Sequence, residues 1–329
     1  MRIRLLGTAA GGGVPQWNCN CSVCREARAG TGRVQPRTQS SVAITADETH
    51  WFLLNASPDL RAQIEGFPPL QPPDHLTRGS PIQAVLLTNA DLDHTLGLLL
   101  LREGEKLLVH ATGPVRNSLT EGLSLASTLA AFCGIEWISP PAELSALLSG
   151  DGLESGLLYQ AVSVAGQAPR FSRAQGNGAP VSDPASRRSH AESRRVGDRR
   201  SHSGDVVGYR LVDSRTGGRF LFLPDVASLD QRLTSFLAEC DVLLFDGTFW
   251  SEDEMQQRGA GNLTAASMGH VPISGPAGSL EVLKDLNVKH IIYTHINNTN
   301  PILREDSPER AAVVAAGCTV GHDGMEIIV

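Results

Sequence analysis

The stretch TNADLDHTLG, residues Thr88–Gly97, lies between two apolar runs. Ala84–Leu87 precedes it and predicts a buried strand, and Leu98–Leu101 follows it and predicts the buried face of a helix. Two aspartates and a histidine are therefore expected at one strand-to-helix corner, where the two carboxylates would repel each other. A divalent metal removes that repulsion and accepts carboxylate and imidazole ligands. The alternative is a solvated loop in which Asp91 or Asp93 caps the helix.

The composition is typical of a soluble globular protein, because the 329 residues carry a net charge of −7 and 41% of them are hydrophobic. The mildly acidic balance disfavours a nucleic-acid-binding surface. The first residues do not resemble a secretion signal, and no apolar run approaches the length of about 18 residues that indicates a membrane span. We therefore expect a cytoplasmic protein without nucleic-acid or membrane partners, forming a single domain over residues 1–329.

Three thiols lie within six residues, at Cys19, Cys21 and Cys24. This spacing allows the thiols to converge on one ion, and thiolates are common ligands of structural zinc. We therefore expect a structural Zn²⁺ site whose fourth ligand comes from elsewhere in the chain. The alternative is a set of free surface thiols or one labile disulfide.

Residues 170–205 differ in composition from the rest of the chain, with eight arginines, no lysine and almost no aliphatic side chains. Such a segment cannot bury enough apolar surface to fold alone, which predicts a mobile insertion at the surface of the domain. Its arginines could attract an anionic ligand or partner, and the alternative is a solvated linker.

Other acidic and histidine side chains also follow predicted strands. Asp225, Asp246 and His295 each stand where an apolar strand ends. Ligands of layered α/β proteins bind outside the carboxyl ends of the strands, so these side chains are expected at one edge of the fold. His202 precedes a strand, and His270 lies in a loop after a glycine. A single such residue is usually a cap, but this many at corresponding positions predict a metal site.

The pattern T-x-x-D-x-D-H-x-x-G after a strand resembles the metal-binding motif of the metallo-β-lactamase superfamily, usually His-x-His-x-Asp-His. That resemblance implies an α/β fold, a four-layer αββα sandwich. In the ribonuclease Z and phosphodiesterase branch, the matching positions make His202 a metal ligand, Asp225 the bridging aspartate and His295 the last metal histidine. His270 matches the catalytic histidine of that branch.

The three clustered cysteines resemble the structural zinc triad of the phosphodiesterase branch. The fourth ligand of that branch is a histidine, and its position falls on Asn298 here, which leaves the fourth ligand open. Longer motifs resemble one family, the B proteins of pyrroloquinoline quinone (PQQ) biosynthesis, PqqB. These motifs are Gly11–Cys21, Arg37–Ser41, Leu54–Asp59 and His295–Pro301. The resemblance implies oxidation of the tyrosine ring in a small Glu-Tyr-type precursor, with other PQQ-biosynthesis proteins as possible partners.

The chain departs from the superfamily motif where Asn89 and Asp91 replace its two leading histidines. A hydrolase with two metal ions uses both sites to hold and activate water. Loss of two imidazoles should weaken the metal site that these histidines would form. Asp91 and His202 are therefore predicted to form only a weak or vestigial site beside the main one.

The other site keeps Asp93, His94 and His295, with Asp225 as a fourth or bridging ligand. Two histidines and a carboxylate with open positions are the ligand set of non-haem Fe(II) oxygenases. We therefore predict an active-site divalent metal, Fe²⁺, with Zn²⁺ and Mn²⁺ as alternatives, and an oxidoreductase that hydroxylates the tyrosine ring.

Two further residues are predicted to support this chemistry. His270 is expected to act as the acid/base for the phenolic proton, or else to orient a ligand, and Asp246 is expected to orient a metal ligand. Two other functions stay open. One is a metal-dependent phosphodiesterase or hydrolase, and the other is a non-catalytic carrier for the transport of PQQ or its precursor.

Overall fold

The computed structural model describes residues 1–175 and 203–329, and in these ranges the strands form two seven-stranded sheets. The first sheet contains β1 (Arg2–Gly7), β2 (Ser41–Thr45), β3 (Trp51–Leu54), β4 (Ile82–Leu86), β5 (Leu107–His110), β6 (Ile135–Ile138) and, from the end of the chain, β14 (Glu326–Ile328). The second contains β7 (Ser145–Leu148), β8 (Glu154–Ser163), β9 (Val207–Asp213), β10 (Arg219–Leu223), β11 (Val242–Asp246), β12 (His290–Thr294) and β13 (Thr319–Val320).

The two sheets have related topologies. The order is β14-β1-β2-β3-β4-β5-β6 in the first sheet and β13-β12-β11-β10-β9-β8-β7 in the second. Strands β3 to β6 pair in parallel, as do β10 to β13, and the other pairs are antiparallel. Parallel strands place their carboxyl ends at the same edge of a sheet, so residues that follow β4, β10, β11 and β12 can meet there.

Helices cover the outer faces of both sheets, as connections between parallel strands require. They are α1 (Ser22–Ala29), α2 (Leu60–Glu65), α3 (Leu92–Thr95), α4 (Gly113–Asn117), α5 (Leu125–Ala130), α6 (Arg170–Gln175), α7 (Gln231–Ala238), α8 (Glu254–Gln257), α9 (Ala265–Met268), α10 (Ser279–Leu283) and α11 (Pro308–Ala315). 3-10 helices span Pro68–Leu70, Leu96–Leu101 and Pro301–Leu303, and a π-helix spans Ser118–Gly122. The predicted αββα sandwich is confirmed.

Alternation along the strands divides the core into layers. In β10, Phe220 and Phe222 belong to the core between the sheets, whereas Leu221 and Leu223 belong to the core under the outer helices of the second sheet. Side chains of a strand point alternately to its two faces, so a strand buried on both faces is apolar throughout. This explains why the strands that carry the site are continuous apolar runs in the sequence.

Truncation of the inter-sheet core should be costly. Phe222 is fully buried there, and Phe222→Ala should lower the free energy of unfolding by about 3–5 kcal/mol because it leaves a cavity. Denaturant unfolding measures this loss. Phe132, which is 62% exposed, is the matched control, and Phe132→Ala should stay within about 0.5 kcal/mol. Equal effects of the two changes would contradict this assignment of the core.

The predicted helix at Leu98–Leu101 is present, but its leucines do not form a buried face, because only Leu98 of the four is buried. A one-turn helix, α3, is followed by a 3-10 helix over Leu96–Leu101, and Leu100 is 40% exposed. The α-helical ladder is interrupted because the amide of Gly97 donates to the carbonyl of Ala56 (2.9 Å), outside the helix. A Cβ at Gly97 would lie 2.3 Å from the carbonyl oxygen of Ser57, so the residue must be glycine for this approach.

The predicted insertion at 170–205 is structured where it is described. It begins with α6, whose Phe171 packs against the core outside the first sheet. Near its other end, the carbonyl of Gly204 accepts a hydrogen bond from Thr112 Oγ1 (2.6 Å). Residues 176–202, including the predicted ligand His202, lie outside the described residues. Across the ranges that are described, we found no helix with the length and apolar character needed to cross a bilayer.

Candidate metal centre

The carboxyl ends of four strands supply the predicted site residues. His94 lies in α3 after β4, and Asp225 lies two residues beyond the end of β10. Asp246 is the last residue of β11, and His295 directly follows β12. Strands from both sheets therefore converge on one edge of the sandwich. The structure brings together the side chains that the sequence placed at separate strand ends.

His94 has the hydrogen-bonding pattern of a metal ligand. Its Nδ1 lies 3.0 Å from Oδ1 of Asn89, so the ring donates there and leaves the lone pair of Nε2 free. Nε2 is buried and has no hydrogen-bond partner among the described residues, and burial lowers the pKa of the ring. Nε2 of His110 is also buried and unpartnered, but His110 belongs to no donor group, whereas Nε2 of His94 lies 3.7 Å from Oδ2 of Asp93. The free lone pair of His94 therefore fits a metal ion because other donor atoms surround it.

His295 is held in place by Thr248. The threonine hydroxyl donates to Oδ1 of Asp246 (2.7 Å) and lies 2.9 Å from Nδ1 of His295, from which it can accept. The opposite nitrogen, Nε2, therefore faces Oδ2 of Asp93 at 3.1 Å. The backbone of His295 has a φ of 54°, a left-handed conformation that is uncommon outside glycine and is often found at functional sites.

Two groups of donor atoms result. Asp93, His94 and His295 offer ligand atoms that lie within 4.8 Å of one another, and Asp225, His270 and His295 form a second such group that shares His295. Burial alone would raise the pKa of Asp93, but His94 and His295 outweigh it and hold that pKa well below its usual range. Ionised carboxylates with imidazoles are a donor set that fits a divalent metal.

Asn89 has a role that the sequence did not reveal. Its Oδ1 accepts from the backbone amide of Asp91 (2.9 Å) and from Nδ1 of His94, while its Nδ2 donates to Oδ2 of Asp225 (3.0 Å). An amide side chain can do this because it carries an acceptor oxygen and a donor nitrogen on separate atoms. Asn89 therefore joins a ligand of the first donor group to one of the second.

Asp91 lines the cavity above the donors but belongs to neither donor group. It precedes α3, yet its carboxylate makes no capping hydrogen bond, and Asp93 lies inside the helix, so the alternative of a simple helix cap is wrong. Burial, Asp93 and Asp225 raise the pKa of Asp91 to about 7. A second site formed with His202 stays a prediction, because His202 lies outside the described residues.

Asp246 is fully buried and orients two histidines. Its Oδ2 lies 2.7 Å from Nδ1 of His270 and accepts from the amide of Val226 (2.8 Å), while its Oδ1 reaches His295 through Thr248. Burial alone would lower the pKa of His270, but Asp246 outweighs it and raises that pKa. The predicted orienting role of Asp246 agrees with these contacts. His270 can be a ligand or an acid/base.

A cavity of about 580 Å³ opens above these residues. Its lower part is polar and acidic, with Asp91, Asp93 and Asp225, and its wall includes Phe249. Leu263, Met268 and Arg170, the first residue of α6, complete a partly apolar rim. This size suits a small organic ligand.

Metal uptake should release about one proton. At neutral pH Asp93 is ionised and His94 is neutral, whereas the carboxylates around His295 outweigh its burial and raise its pKa to about 10. An ion that binds Nε2 of His295 must displace that proton, so the apparent affinity should rise about tenfold per pH unit between pH 6 and 8.

Calorimetric titration in buffers of different ionisation enthalpy measures the protons released. The thiol cluster of the titrated protein is filled with Zn²⁺ beforehand, so that protons released by the cysteines do not contribute. An affinity independent of pH over this range would contradict a protonated His295.

The thiol cluster of Cys19, Cys21 and Cys24 lies at the start of α1. The three cysteines are not disulfide-bonded, and their sulfur atoms lie within 4.8 Å of one another. Each sulfur accepts a hydrogen bond from a backbone amide, at 3.4–3.5 Å. Amides directed at sulfur stabilise thiolates, so the cluster fits the predicted zinc site.

Asn298 closes this cluster. Its side-chain Nδ2 donates to Sγ of Cys24 (3.3 Å), and its backbone carbonyl oxygen accepts from Sγ of Cys21 (3.5 Å). Because an amide can turn its oxygen toward an ion, Asn298 is placed to supply the fourth donor that the sequence left open. The same loop carries His295, so the thiol cluster and the metal centre share one segment of backbone.

Comparison with known proteins identifies the family of the chain. The family model described as a β-lactamase superfamily domain matches residues 50–296. Coenzyme PQQ synthesis protein B of Ectopseudomonas mendocina is 42% identical over 334 residues, covering 100% of both chains.

Solved structures with a similar fold include a member of the same family. A zinc-bound PqqB from Methylobacterium extorquens superposes with a TM-score of 0.84 at 39% identity, covering 100% of both chains. A diphosphatase of the PhnP family shares the fold alone, with a TM-score of 0.61 at 19% identity over 99% of this chain and 97% of that one. The chain belongs to the coenzyme PQQ synthesis protein B family of the β-lactamase superfamily.

Proposed function

We propose that the protein acts in PQQ biosynthesis as a metal-dependent oxygenase that hydroxylates the tyrosine ring of a Glu-Tyr-type precursor. The observation that carries this proposal is the convergence of Asp93, His94 and His295, with the lone pair of His94 Nε2 buried and unpartnered in the described structure. Two imidazoles and one carboxylate with open positions are typical of non-haem Fe(II) oxygenases. The zinc of the Methylobacterium extorquens relative supports a divalent metal in this family.

The protein would hold the metal and prepare the substrate. Bound Fe²⁺ would supply activation of O₂. Asp93, His94 and His295 would hold it, and Asn89 and Thr248 would keep the two imidazoles in the correct tautomer.

His270 would accept the phenolic proton at its Nε2. Its Nδ1 is occupied by Asp246 (2.7 Å), and the raised pKa makes the ring a stronger base toward a phenol, whose own pKa is about 10. Phe249 would pack against the ring of the substrate. Arg170 at the rim would attract its carboxylates, in a cavity whose lower part is acidic.

Hydroxylation places one oxygen atom of O₂ on the ring and reduces the other to water, which consumes two electrons, so ascorbate is supplied as the reductant. The test is anaerobic loading with Fe²⁺, addition of a Glu-Tyr dipeptide and ascorbate, and then admission of O₂, with the product identified by mass spectrometry. The expected product has gained one oxygen atom on the tyrosine ring, and a His94→Ala protein should form none. Absence of hydroxylated product with Fe²⁺, Zn²⁺ and Mn²⁺ alike would refute the oxygenase.

A metal-dependent hydrolase is the second candidate. The observation that favours it is the second donor group of Asp225, His270 and His295, which would allow another ion beside the first. It predicts two bound ions per site and turnover of a phosphodiester without O₂. A carrier for PQQ or its precursor predicts instead tight binding that survives loss of the metal ligands.

A further inference from the structure

The loop after His295 places a further polar residue, Asn297, at the wall of the cavity. Asn297 lines the cavity, and its backbone amide donates to the carbonyl of Thr248 (3.1 Å). Its own carbonyl accepts from the amide of Asn300 (3.0 Å). These bonds fix the backbone of Asn297 beside the metal centre without using its side chain.

The side-chain amide of Asn297 is oriented by a buried network. Nδ2 donates to Oγ1 of Thr299 (2.6 Å), and that hydroxyl donates to Oε1 of Glu254 (2.5 Å). A threonine hydroxyl has one hydrogen, so once that hydrogen is donated to the carboxylate, the oxygen can only accept from Asn297. Thr299 and Glu254 are 1% and 2% exposed.

Glu254 is itself held firmly. Its other oxygen, Oε2, accepts from the backbone amide of Trp250 at 2.6 Å. Burial raises the pKa of Glu254 to about 7, so above that pH the side chain is a carboxylate. A buried carboxylate with two donors needs both of them, because an unsatisfied buried acceptor is costly. The network therefore sets which end of the Asn297 amide points away from it.

The remaining end is the oxygen, Oδ1. No residue of the ranges 1–175 and 203–329 donates a hydrogen bond to it, although the Asn297 side chain lines the cavity. A fixed, unused acceptor on the wall of a binding cavity recognises a donor on the ligand, since matched polar groups give a pocket its selectivity.

We propose that Asn297 is a specificity-determining residue, whose Oδ1 accepts a hydrogen bond from an N–H or O–H group of the bound ligand. Thr299 and Glu254 are positioning residues that hold the amide in this orientation. The identity of the ligand, a Glu-Tyr-type precursor, rests on the proposed function, and the recognition of a donor rests on the network alone.

The test is equilibrium binding to the anaerobic, metal-loaded protein. Two probes are used, a Glu-Tyr dipeptide and PQQ, whose pyrrole ring also offers an N–H donor. Asn297→Ala should weaken the binding of at least one probe about tenfold, as expected for one hydrogen bond lost in a buried site. Metal content and thermal unfolding should stay near those of the wild-type protein.

A matched pair at Thr299 tests the positioning. Thr299→Val keeps the shape but removes the hydroxyl, and it should weaken binding about threefold to tenfold because the amide is free to turn. Thr299→Ser restores the hydroxyl and should restore binding to within about twofold of the wild-type protein. These ranges follow from one neutral hydrogen bond.

The outcomes separate this proposal from the function proposed above. Unchanged binding of both probes in Asn297→Ala would overturn the recognition role, and so would weaker binding that is explained by loss of metal. If PQQ binds in an Asn297-dependent way and the dipeptide does not bind, recognition by Asn297 is supported and the proposed substrate is refuted. If neither probe binds the wild-type protein, both proposals fall.

Discussion

Replacing His94 with alanine should remove the active-site metal and, with it, formation of the hydroxylated product. His94 is buried, and its Nε2 has no hydrogen-bond partner in the described structure, so nothing else uses that lone pair. Loss of a residue that hydrogen-bonds to a metal ligand typically lowers metal affinity about 10- to 100-fold. Asn89 hydrogen-bonds to His94, so Asn89→Ala should fall inside this range, whereas loss of the ligand His94 itself should exceed it. Metal titration of the purified proteins measures both.

A buried histidine outside the site serves as the control. His110 is 3% exposed, and its Nδ1 lies 2.8 Å from the hydroxyl of Tyr159. His110→Ala removes a side chain of the same size and should cost stability without changing metal affinity. A second variant, His94→Gln, keeps most of the volume, so that poor folding cannot explain the result. Wild-type metal affinity in both His94 variants would contradict the assignment of this ligand.

Replacing Cys24 with serine should empty the thiol cluster of zinc and destabilise the protein. Structural zinc is worth about 10–16 kcal/mol in small zinc-finger peptides, and here a large core is retained, so a loss of at least about 3 kcal/mol is expected. Asn298 contacts Cys24 and lies three residues from His295. The active-site metal should therefore also bind more weakly, because the shared loop loses its anchor.

Zinc content, denaturant unfolding and metal titration measure these effects together. Cys133→Ser is the matched control, because Cys133 is a free thiol away from the cluster and should change stability by less than about 1 kcal/mol. If Cys24→Ser lost zinc without any change in stability or in active-site affinity, the thiol cluster would not be an anchor for the loop.

Much of the site was predictable because a buried strand can be recognised from a short apolar run in the sequence. Continuous apolar runs identified β4, β10, β11 and β12. Asp246 is the last residue of β11, and His94, Asp225 and His295 follow the other three strands. The rule that ligands bind at the carboxyl edge then placed these residues together without any pairing information. The αββα order of the layers was predicted from the resemblance to the metallo-β-lactamase superfamily and not from the strands themselves.

The polar contacts between the ligands were not predictable in the same way. Asn89 donates to Asp225 across 136 positions, and Thr248 reaches His295 across 47. Such contacts depend on side-chain placement in the folded chain and have no periodic pattern in the sequence. The sequence motif identifies Asn89 only as a missing metal ligand, whereas in the structure its amide donates to Asp225 and accepts from His94. The 3-10 helix after α3 depends on a similar distant contact, from Gly97 to Ala56.

We propose that one Fe²⁺ binds between Asp93, His94 and His295, while Asn89 serves as a hydrogen-bonding partner. Anomalous scattering at the iron edge, measured on crystals loaded anaerobically with Fe²⁺, tests it most directly. We expect one iron peak at the active site, in contact with all three side chains and, at His94, with Nε2. Two iron peaks there, or a single peak that does not contact His94, would contradict it.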